Sequence, residues 1–384
     1  MRDIFIIGSK GIPAEYGGFE TFVEQLTRHR KSKRIRYHVA CMGDKNDEFE
    51  YQGSRCFRVK VPQIGPAKAV WYDLAAFLRC LHEIRRQPGE QPIVYVLACR
   101  IGPFCGFLKR RLKKMGGRLL INPDGHEWLR AKWNPAIRRY WKFSERLMVK
   151  HADLVICDSK HMQRYILETY RRYQPKTDFI AYGADVIQSG LSDQDETLLA
   201  WYRNWKLEPK EYFLIVGRFV PENNYETMLR EFMDAKTEKK LAVISNVEEN
   251  QFYQKLKETT GFTQDQRIVF CGTVYEEALL KKIRENACGY LHGHEVGGTN
   301  PSLLEALGST KVNLLLEVGF NREVGMDAAL YWTKEPGNLS SLIERVSEFD
   351  EEQRNAFGSR AKRRILSDYS HTQITAAYEK IFLE

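Results

Sequence analysis

No run of 18 apolar residues occurs in the 384-residue chain, so no membrane-crossing helix is expected. The opening MRDIFIIGSKG holds five apolar residues before a glycine, too few for the apolar region of a secretory signal, and the expectation is a cytoplasmic protein. Cysteines stand at 41, 56, 80, 99, 105, 157, 271 and 288 without a CxxC pair or a Cys/His cluster at zinc spacing, so they read as reduced packing residues. No GxGxxG follows a strand at dinucleotide spacing, and no acidic residue ends the second strand, which argues against a dehydrogenase. No DxD-like acidic pair accompanies any motif, no repeat of short period appears, and there is no low-complexity tract.

What is present is a chain too long for one ordinary core, with 43% hydrophobic and 28% charged residues. The net charge of +9 is unevenly held. Up to residue 190, 35 Lys and Arg face 19 Asp and Glu; beyond it 24 face 31, giving +16 and −7. Such a split implies an anionic surface for the first half, either a membrane or nucleic acid. The densest segment is PFCGFLKRRLKKMGGR, residues 103–118. Its Phe104, Phe107, Leu108, Leu112 and Met115 recur at near-helical spacing, with Lys109, Arg110, Arg111, Lys113 and Lys114 between them. That pattern fits an interfacial helix on anionic lipid; the alternative is a solvated basic face over a core helix.

FIIGSKGIPAEYGG reads as a strand entering a glycine-rich loop, and FETFVEQLTRHR as the helix that follows. Further strands are expected at RYHVACM, CFRVKV, PIVYVL, GRLLIN, DLVICD and DFIAY. A second series begins at YFLIVG and continues through KLAVISN, RIVFCG, CGYLHG and KVNLLLEV. The predicted fold class is therefore α/β, two Rossmann-like domains with parallel sheets facing across a cleft. The expected boundaries are 1–182 and 183–367, with 368–384 forming a helix that packs back on the first domain.

Three segments carry chemistry. In the first, Gly8, Gly11, Gly17 and Gly18 precede a helix whose first amides are free for phosphate; the plain alternative is a tight turn. In VGRFVPENN, residues 216–224, Arg218 leaves the carboxyl end of a strand, where a planar, permanently charged donor suits a diphosphate. In GHEVGGTNPSLLEALG, residues 293–308, glycines and small polar residues run into a helix starting near Pro301 or Ser302. Glu305 is then expected in the first helical turn, accepting from a ribose or favouring the helix dipole.

In this order the segments resemble glycosyltransferase family 4, over nearly the whole chain. IAYGADV is similar to that family's interdomain turn, and HADLVICDSKHMQRYI to its last N-terminal strand and helix. The family's G-R-x-x-x-x-K stretch falls on Gly217 and Arg218, and its E-x7-E motif on Gly297 to Glu305. Two positions depart: the motif lysine is Asn223 and the first glutamate is Gly297, with Glu295 as the nearby carboxylate. GIPAEYGGFETFVEQL, VGRFVPENNYE and VGGTNPSLLEA look like a narrower group, the bacterial rhamnosyltransferases of capsule and cell-wall polysaccharide synthesis. NPDGHEWLRAKW, residues 122–133, resembles the family's H-G-x-D-W-x-R-x-K-W stretch. Its active-site histidine falls on Asp124, Glu127 keeps the acidic position, and His126 is not the equivalent histidine.

The resemblance implies a GT-B fold and a retaining transferase that moves L-rhamnose from dTDP-L-rhamnose to a sugar on an undecaprenyl-diphosphate lipid. The implied partners are that nucleotide-diphosphate sugar, the lipid-diphosphate-linked acceptor and an anionic membrane surface at the inner face of the cell membrane, with no nucleic acid. Asp124, Glu127 and Arg218 are the expected catalytic residues. Gly17, Gly18, Arg218, Asn223, Gly297, Gly298, Thr299, Asn300 and Glu305 are expected around the donor, and no metal or other cofactor is required. The base is expected near Ser245 to Val247 and Thr273 to Tyr275. Two rivals stay open: another GT-B nucleotide-sugar enzyme, with a different donor or epimerase or hydrolase activity, and a non-catalytic basic membrane-binding module.

Overall fold

The structure is a computed structural model that describes residues 1–15, 17–87, 89–130 and 133–384, with Pro66 described by its backbone only. Tyr16, Ala131 and Lys132, which belong to the motif strings above, lie outside the described residues. The chain divides into two compact units, Met1–Gly183 with His371–Glu384, and Ala184–Ser370.

The first unit runs β1 (Arg2–Ile7), α1 (Gly18–Arg28), β2 (Ile35–Gly43), β3 (Glu48–Tyr51), β4 (Ser54–Lys60), α2 (Lys68–Arg86), β5 (Ile93–Leu97), α3 (Gly102–Lys114), β6 (Arg118–Asn122), α4 (Pro135–His151), β7 (Leu154–Cys157), α5 (Lys160–Thr169) and β8 (Thr177–Phe179). Its sheet has the order β3-β4-β2-β1-β5-β6-β7-β8. Every pairing is parallel except β3 with β4, a hairpin at the edge. β1 ends in IFII and β5 reads IVYVL because helices cover both faces of a parallel sheet and leave no polar side to these residues.

The second unit runs α6 (Glu196–Trp205), β9 (Tyr212–Val216), α7 (Tyr225–Asp234), β10 (Lys240–Ile244), α8 (Gln251–Thr260), β11 (Ile268–Phe270), α9 (Glu277–Glu285), β12 (Gly289–His292), α10 (Pro301–Ser309), β13 (Asn313–Leu316), α11 (Gly319–Gly325), β14 (Leu330–Trp332), α12 (Asn338–Ser347) and α13 (Glu351–Arg364). Its sheet is wholly parallel, in the order β11-β10-β9-β12-β13-β14. The core on one side is built from Phe213, Phe232, Leu314 and Trp332, and on the other from Leu214, Trp201, Tyr290 and Ala306.

The last helix, α14 (His371–Leu383), belongs to the first unit. Its Tyr378 and Phe382 are fully buried against Tyr95 and Tyr37, each contributing roughly 2–3 kcal/mol of apolar burial. Glu379 accepts from the amides of Lys31 and Ser32, and Arg2 donates to the carbonyl of Phe382. Gly183 sits against His371, while Ala184 donates to the carbonyl of Tyr369. The division therefore falls after Gly183 and after Ser370, not at 182 and 367: Arg364 ties the turn before Ser370 to the carbonyls of Glu323 and Val324.

Close approach at one glycine is a test of the first sheet. Gly8 has φ 99°, and a Cβ there would lie 2.1 Å from the carbonyl oxygen of Leu97 on β5. Gly116, at φ 74°, has nothing within 4 Å. Gly8→Ala is expected to lower stability by about 3 kcal/mol and Gly116→Ala by about 1 kcal/mol, read as the shift in urea unfolding.

Candidate functional site

In an open parallel sheet, ligands bind beyond the carboxyl ends of the strands where the winding reverses. In the second unit that place lies between β9 and β12, because the chain winds from β9 outward to β11 and then returns to β12 beside β9. The loops that follow these two strands are VGRFVPENN and GHEVGGTNPSLLEALG. Hydrogen bonds join them. Glu295 donates its amide to the carbonyl of Glu222, and the Asn224 side chain donates to the carbonyl of Gly293 at 2.8 Å. The Asn223 side chain is buried and donates to the carbonyl of Arg218 at 2.8 Å, so it fixes the loop's shape from inside.

Arg218 is exposed, and among the described residues its guanidinium has no hydrogen-bond or ion-pair partner. It is a free cation held by a rigid backbone. The Tyr290 and Ser302 hydroxyls meet at 3.1 Å, and the Ser302 hydroxyl also donates to the carbonyl of Val216 at the end of β9. This fastens the start of α10 to β9. Asn300 caps α10 by accepting from the amide of Ser302, and Thr299 and Gly298 are buried in the turn before it. Gly297 adopts φ 137°, a conformation that L side chains rarely take, and a Cβ there would face open space. The position where the resembled motif carries a glutamate thus has a backbone shape that favours glycine.

Glu305 lies in the second turn of α10, not the first, because the cap at Asn300 starts the helix at Pro301. There it pairs with Arg284 of α9 at 2.7 Å. Arg284 is buried and also reaches the Ser302 hydroxyl. Glu295 is occupied by Lys334 at 2.6 Å and by Asn224; burial pushes its carboxyl up, but these two partners hold it below its ordinary value. His292 and His294 stack with centroids 4.2 Å apart, and burial, with His294 second, keeps His292 neutral, well below its ordinary pKa. Ser245 is buried and donates its amide to the carbonyl of Gly272, which brings together the two strand ends expected near a base, while Tyr275 is exposed.

In the first unit the winding reverses between β1 and β5. Gly17 is the N-cap residue of α1, and Gly18 opens the helix with an exposed backbone. Glu20 folds back to accept from the amide of Lys10, which orders the loop. Arg100, beyond β5, donates to the carbonyl of Gly8 at 2.7 Å and pairs with Asp73 at 3.2 Å. Asp73 is fully buried, and burial pushes its carboxyl up to about 6 against the pull of Arg100.

Asp124 follows β6 with φ 61°, a strained value for a non-glycine residue, and its amide donates to the Asn122 side chain. Burial raises its pKa; Arg130 opposes this and Glu127 adds to it. Glu127 accepts from the Trp133 indole at 2.8 Å and pairs with Arg130. His126 packs edge-on against Trp128 and Tyr165, and burial lowers its pKa to about 4. Asp158, at the end of β7, joins Asp124: it is 3% exposed, and burial together with the charge of Asp124 pushes it up to about 7. Asp158, Arg100 and Arg284 were not among the residues expected from the sequence. Only Asp158 left a signal there, as a carboxylate ending the apolar run DLVIC. Among the described residues no group of three or more His, Cys, Asp or Glu side chains is placed to hold a metal ion.

Two mostly parallel sheets of this kind are matched over the full chain by known structures. Sucrose-phosphate synthase from Thermosynechococcus elongatus superposes with TM-score 0.76 at 15% identity, covering 100% of this chain and 98% of that one. The fold is GT-B. A trehalose-6-phosphate synthase from E. coli bound with UDP-2-fluoro glucose shares the GT-B architecture at TM-score 0.72 and 11% identity, covering 100% and 99%. Another structure of trehalose-6-phosphate synthase, from a study of glycosyl transfer with retention, has TM-score 0.71 at 10% identity and covers 100% and 99%. Within this GT-B chain, residues 1–185 match a domain family of unknown function, DUF1972. An uncharacterized glycosyltransferase of Methanocaldococcus jannaschii is 23% identical over 248 residues, 63% of this chain and 61% of that protein. The matched region thus spans less than two thirds of that relative.

The buried carboxylate at the end of β7 yields a pH test. In the folded state Asp158 keeps its proton up to about pH 7, whereas in the unfolded chain it loses it near 3.8. The stability carried by the neutral form is therefore complete below about pH 4 and is lost as pH rises through about 7. Asp158→Asn removes the titration. The variant is expected to gain on the parent by about 2–3 kcal/mol in urea unfolding between pH 5 and pH 8.

Proposed function

We propose that this protein is a retaining glycosyltransferase that moves L-rhamnose from dTDP-L-rhamnose to a sugar on an undecaprenyl-diphosphate lipid, in the cytoplasm. The observation that carries the reading is the Arg218 guanidinium, without a partner among the described residues, at the point where the second sheet reverses and α10 has its capped start. A fixed cation and a helix N-terminus in one rigid loop pair suit a diphosphate. The E. coli trehalose-6-phosphate synthase of the same fold, held with a UDP sugar, supports a nucleotide-sugar donor, and the retention named for that enzyme type supports the same stereochemical course.

In the proposed reaction the bond between the anomeric carbon and the diphosphate oxygen breaks, and its electron pair leaves with the diphosphate. The acceptor hydroxyl oxygen bonds to the same face of the anomeric carbon, and its proton passes to a carboxylate or to the departing phosphate. Arg218 stabilises the charge that develops on the leaving group, which is the main catalytic contribution. The amides at Gly17 and Gly18 offer further donors to an anion. Asp124 is the carboxylate proposed for the acceptor hydroxyl, with Glu127, held by Arg130 and Trp133, keeping its loop in shape. Gly298, Thr299 and Asn300 form the turn around the donor; Asn223 acts through the loop shape, and Glu305 through Arg284 or a ribose hydroxyl. Glycine at position 297 offers no polar side chain to the donor, which suits a 6-deoxy sugar with one hydroxyl fewer to satisfy. Because Arg218 and the N-terminus of α10 supply positive charge in the second unit, the proposal includes transfer without a metal ion.

The test is transfer from dTDP-L-rhamnose to a synthetic lipid-diphosphate GlcNAc or glucose, in the presence of a chelator, followed by mass spectrometry. Product is expected, with Arg218→Ala reducing kcat/KM roughly 100- to 1,000-fold without a change in unfolding midpoint. Turnover of the donor without acceptor would contradict transfer in favour of epimerisation or hydrolysis. Product from UDP-glucose but not from dTDP-L-rhamnose would remove the rhamnose assignment alone.

A further inference from the structure

The basic segment 103–118 does two things at once. Along α3, Cys105, Leu108 and Leu112 are buried in the core, so one face is that of an ordinary core helix. Lys109 is turned toward Asp153 and pairs with it, which takes it out of the outward surface. Phe104 and Phe107 are nevertheless 43% and 50% exposed. With Arg111 and Lys114 they form an outward stripe at spacings of three, four and three residues.

A second stripe lies on the neighbouring helix. Beyond its first turn, α4 exposes Arg139, Phe143, Arg146 and Lys150 at spacings of four, three and four, and Phe143 is 44% exposed. The two helices touch at backbone level: the Gly102 amide donates to the Ser144 hydroxyl at 2.8 Å, and a Cβ on Gly102 would lie 2.3 Å from the Ser144 carbonyl oxygen. Phe104 and Phe143 are therefore placed two residues and one residue from the same contact. Arg111 lies over the Phe107 ring at 4.6 Å and Arg146 over the Phe143 ring at 5.2 Å, so each aromatic ring carries a guanidinium beside it. Together α3 and α4 hold ten Lys and Arg and one acidic residue, Glu145, and that one is buried.

We infer that the paired outward stripes of α3 and α4 dock on an anionic lipid bilayer, with Phe104, Phe107 and Phe143 entering the headgroup boundary and Arg110, Arg111, Lys114, Arg146 and Lys150 meeting lipid phosphates. Charge complementarity selects this occupant, since seven of the ten cations are exposed, while neither helix exposes a carboxylate, and such a surface meets a uniformly negative sheet without a penalty. The exposed rings distinguish a bilayer from a polyanion in solution: they gain by insertion into an apolar boundary and gain little from a phosphate backbone. Neither helix crosses the membrane; among the described residues none is long and apolar enough.

The proposal stands apart from the donor reading, because it is scored without a sugar nucleotide. The full chain is sedimented with vesicles of phosphatidylcholine containing phosphatidylglycerol, and with phosphatidylcholine alone, at several salt concentrations. Binding to the anionic vesicles is expected to be at least about tenfold tighter and to weaken with salt. Phe104→Ser with Phe107→Ser and Phe143→Ser is expected to cut it about tenfold or more, and so is Arg111→Ala with Lys114→Ala and Arg146→Ala. All six side chains are exposed, and an unchanged thermal unfolding midpoint shows each variant folded. Equal binding to both vesicle types, full binding by the folded triple-serine variant, or tighter retention of duplex DNA than of anionic vesicles would each overturn the inference.

Discussion

A parallel strand reaches its next neighbour only through a crossover, and the point where successive crossovers change direction is where the loops at the strand ends part company. Each unit of this chain has one such point, beside its first strand: β1 with β5, and β9 with β12. The proposed diphosphate site and the glycine loop depend on these two reversals, while Asp124 and Asp158 follow the neighbouring strands β6 and β7. The glycine loop and Arg100 follow β1 and β5, and Arg218 and the loop of Gly297 follow β9 and β12. Strands buried on both faces make those ends rigid, since each is held by ladders on two sides and by apolar layers above and below.

Rigidity at the ends is reinforced by polar contacts that face inward. Asn223, Asn224, Tyr290 and Ser302 use their side chains on backbone carbonyls or on one another. The consequence is that Arg218 is left over, a charge with a fixed origin and no partner among the described residues. The first unit is arranged differently. Asp124, Asp158 and Asp73 are carboxylates whose burial raises their pKa, so this end of the sheet stores electrostatic cost near neutral pH.

Most of the architecture was legible because it rests on local apolar runs. Segments such as IVYVL and FLIV admit few structures other than a strand covered on both faces, and the restart of the pattern near residue 212 marked the second sheet. The strands not anticipated are β3 and β14. EFEY alternates charged and aromatic residues at an edge, and LYW is three residues long, so neither offers a run to read. At the candidate site, sequence position identified the loops but not the direction of their side chains. Asn223 was visible as a substitution, while its inward bond to Arg218 is a matter of loop geometry. Glu305 looked like a residue of the first helical turn until the cap at Asn300 set the count, and its pairing with Arg284 joins residues 21 apart in the chain. Asp73 and Arg100, 27 residues apart, meet only once α2 is packed. Lys109 could not be separated from its basic neighbours without Asp153.

The central claim is that the loops after β9 and β12 hold a nucleotide diphosphate. Amide hydrogen exchange of the intact protein with and without saturating dTDP tests it most directly, since it reads each loop separately and needs no acceptor. Slower exchange in peptides covering residues 217–224 and 293–305, lost in Arg218→Ala, is the predicted result. Unchanged exchange in both segments at saturation, or protection confined to other parts of the chain, would contradict the account.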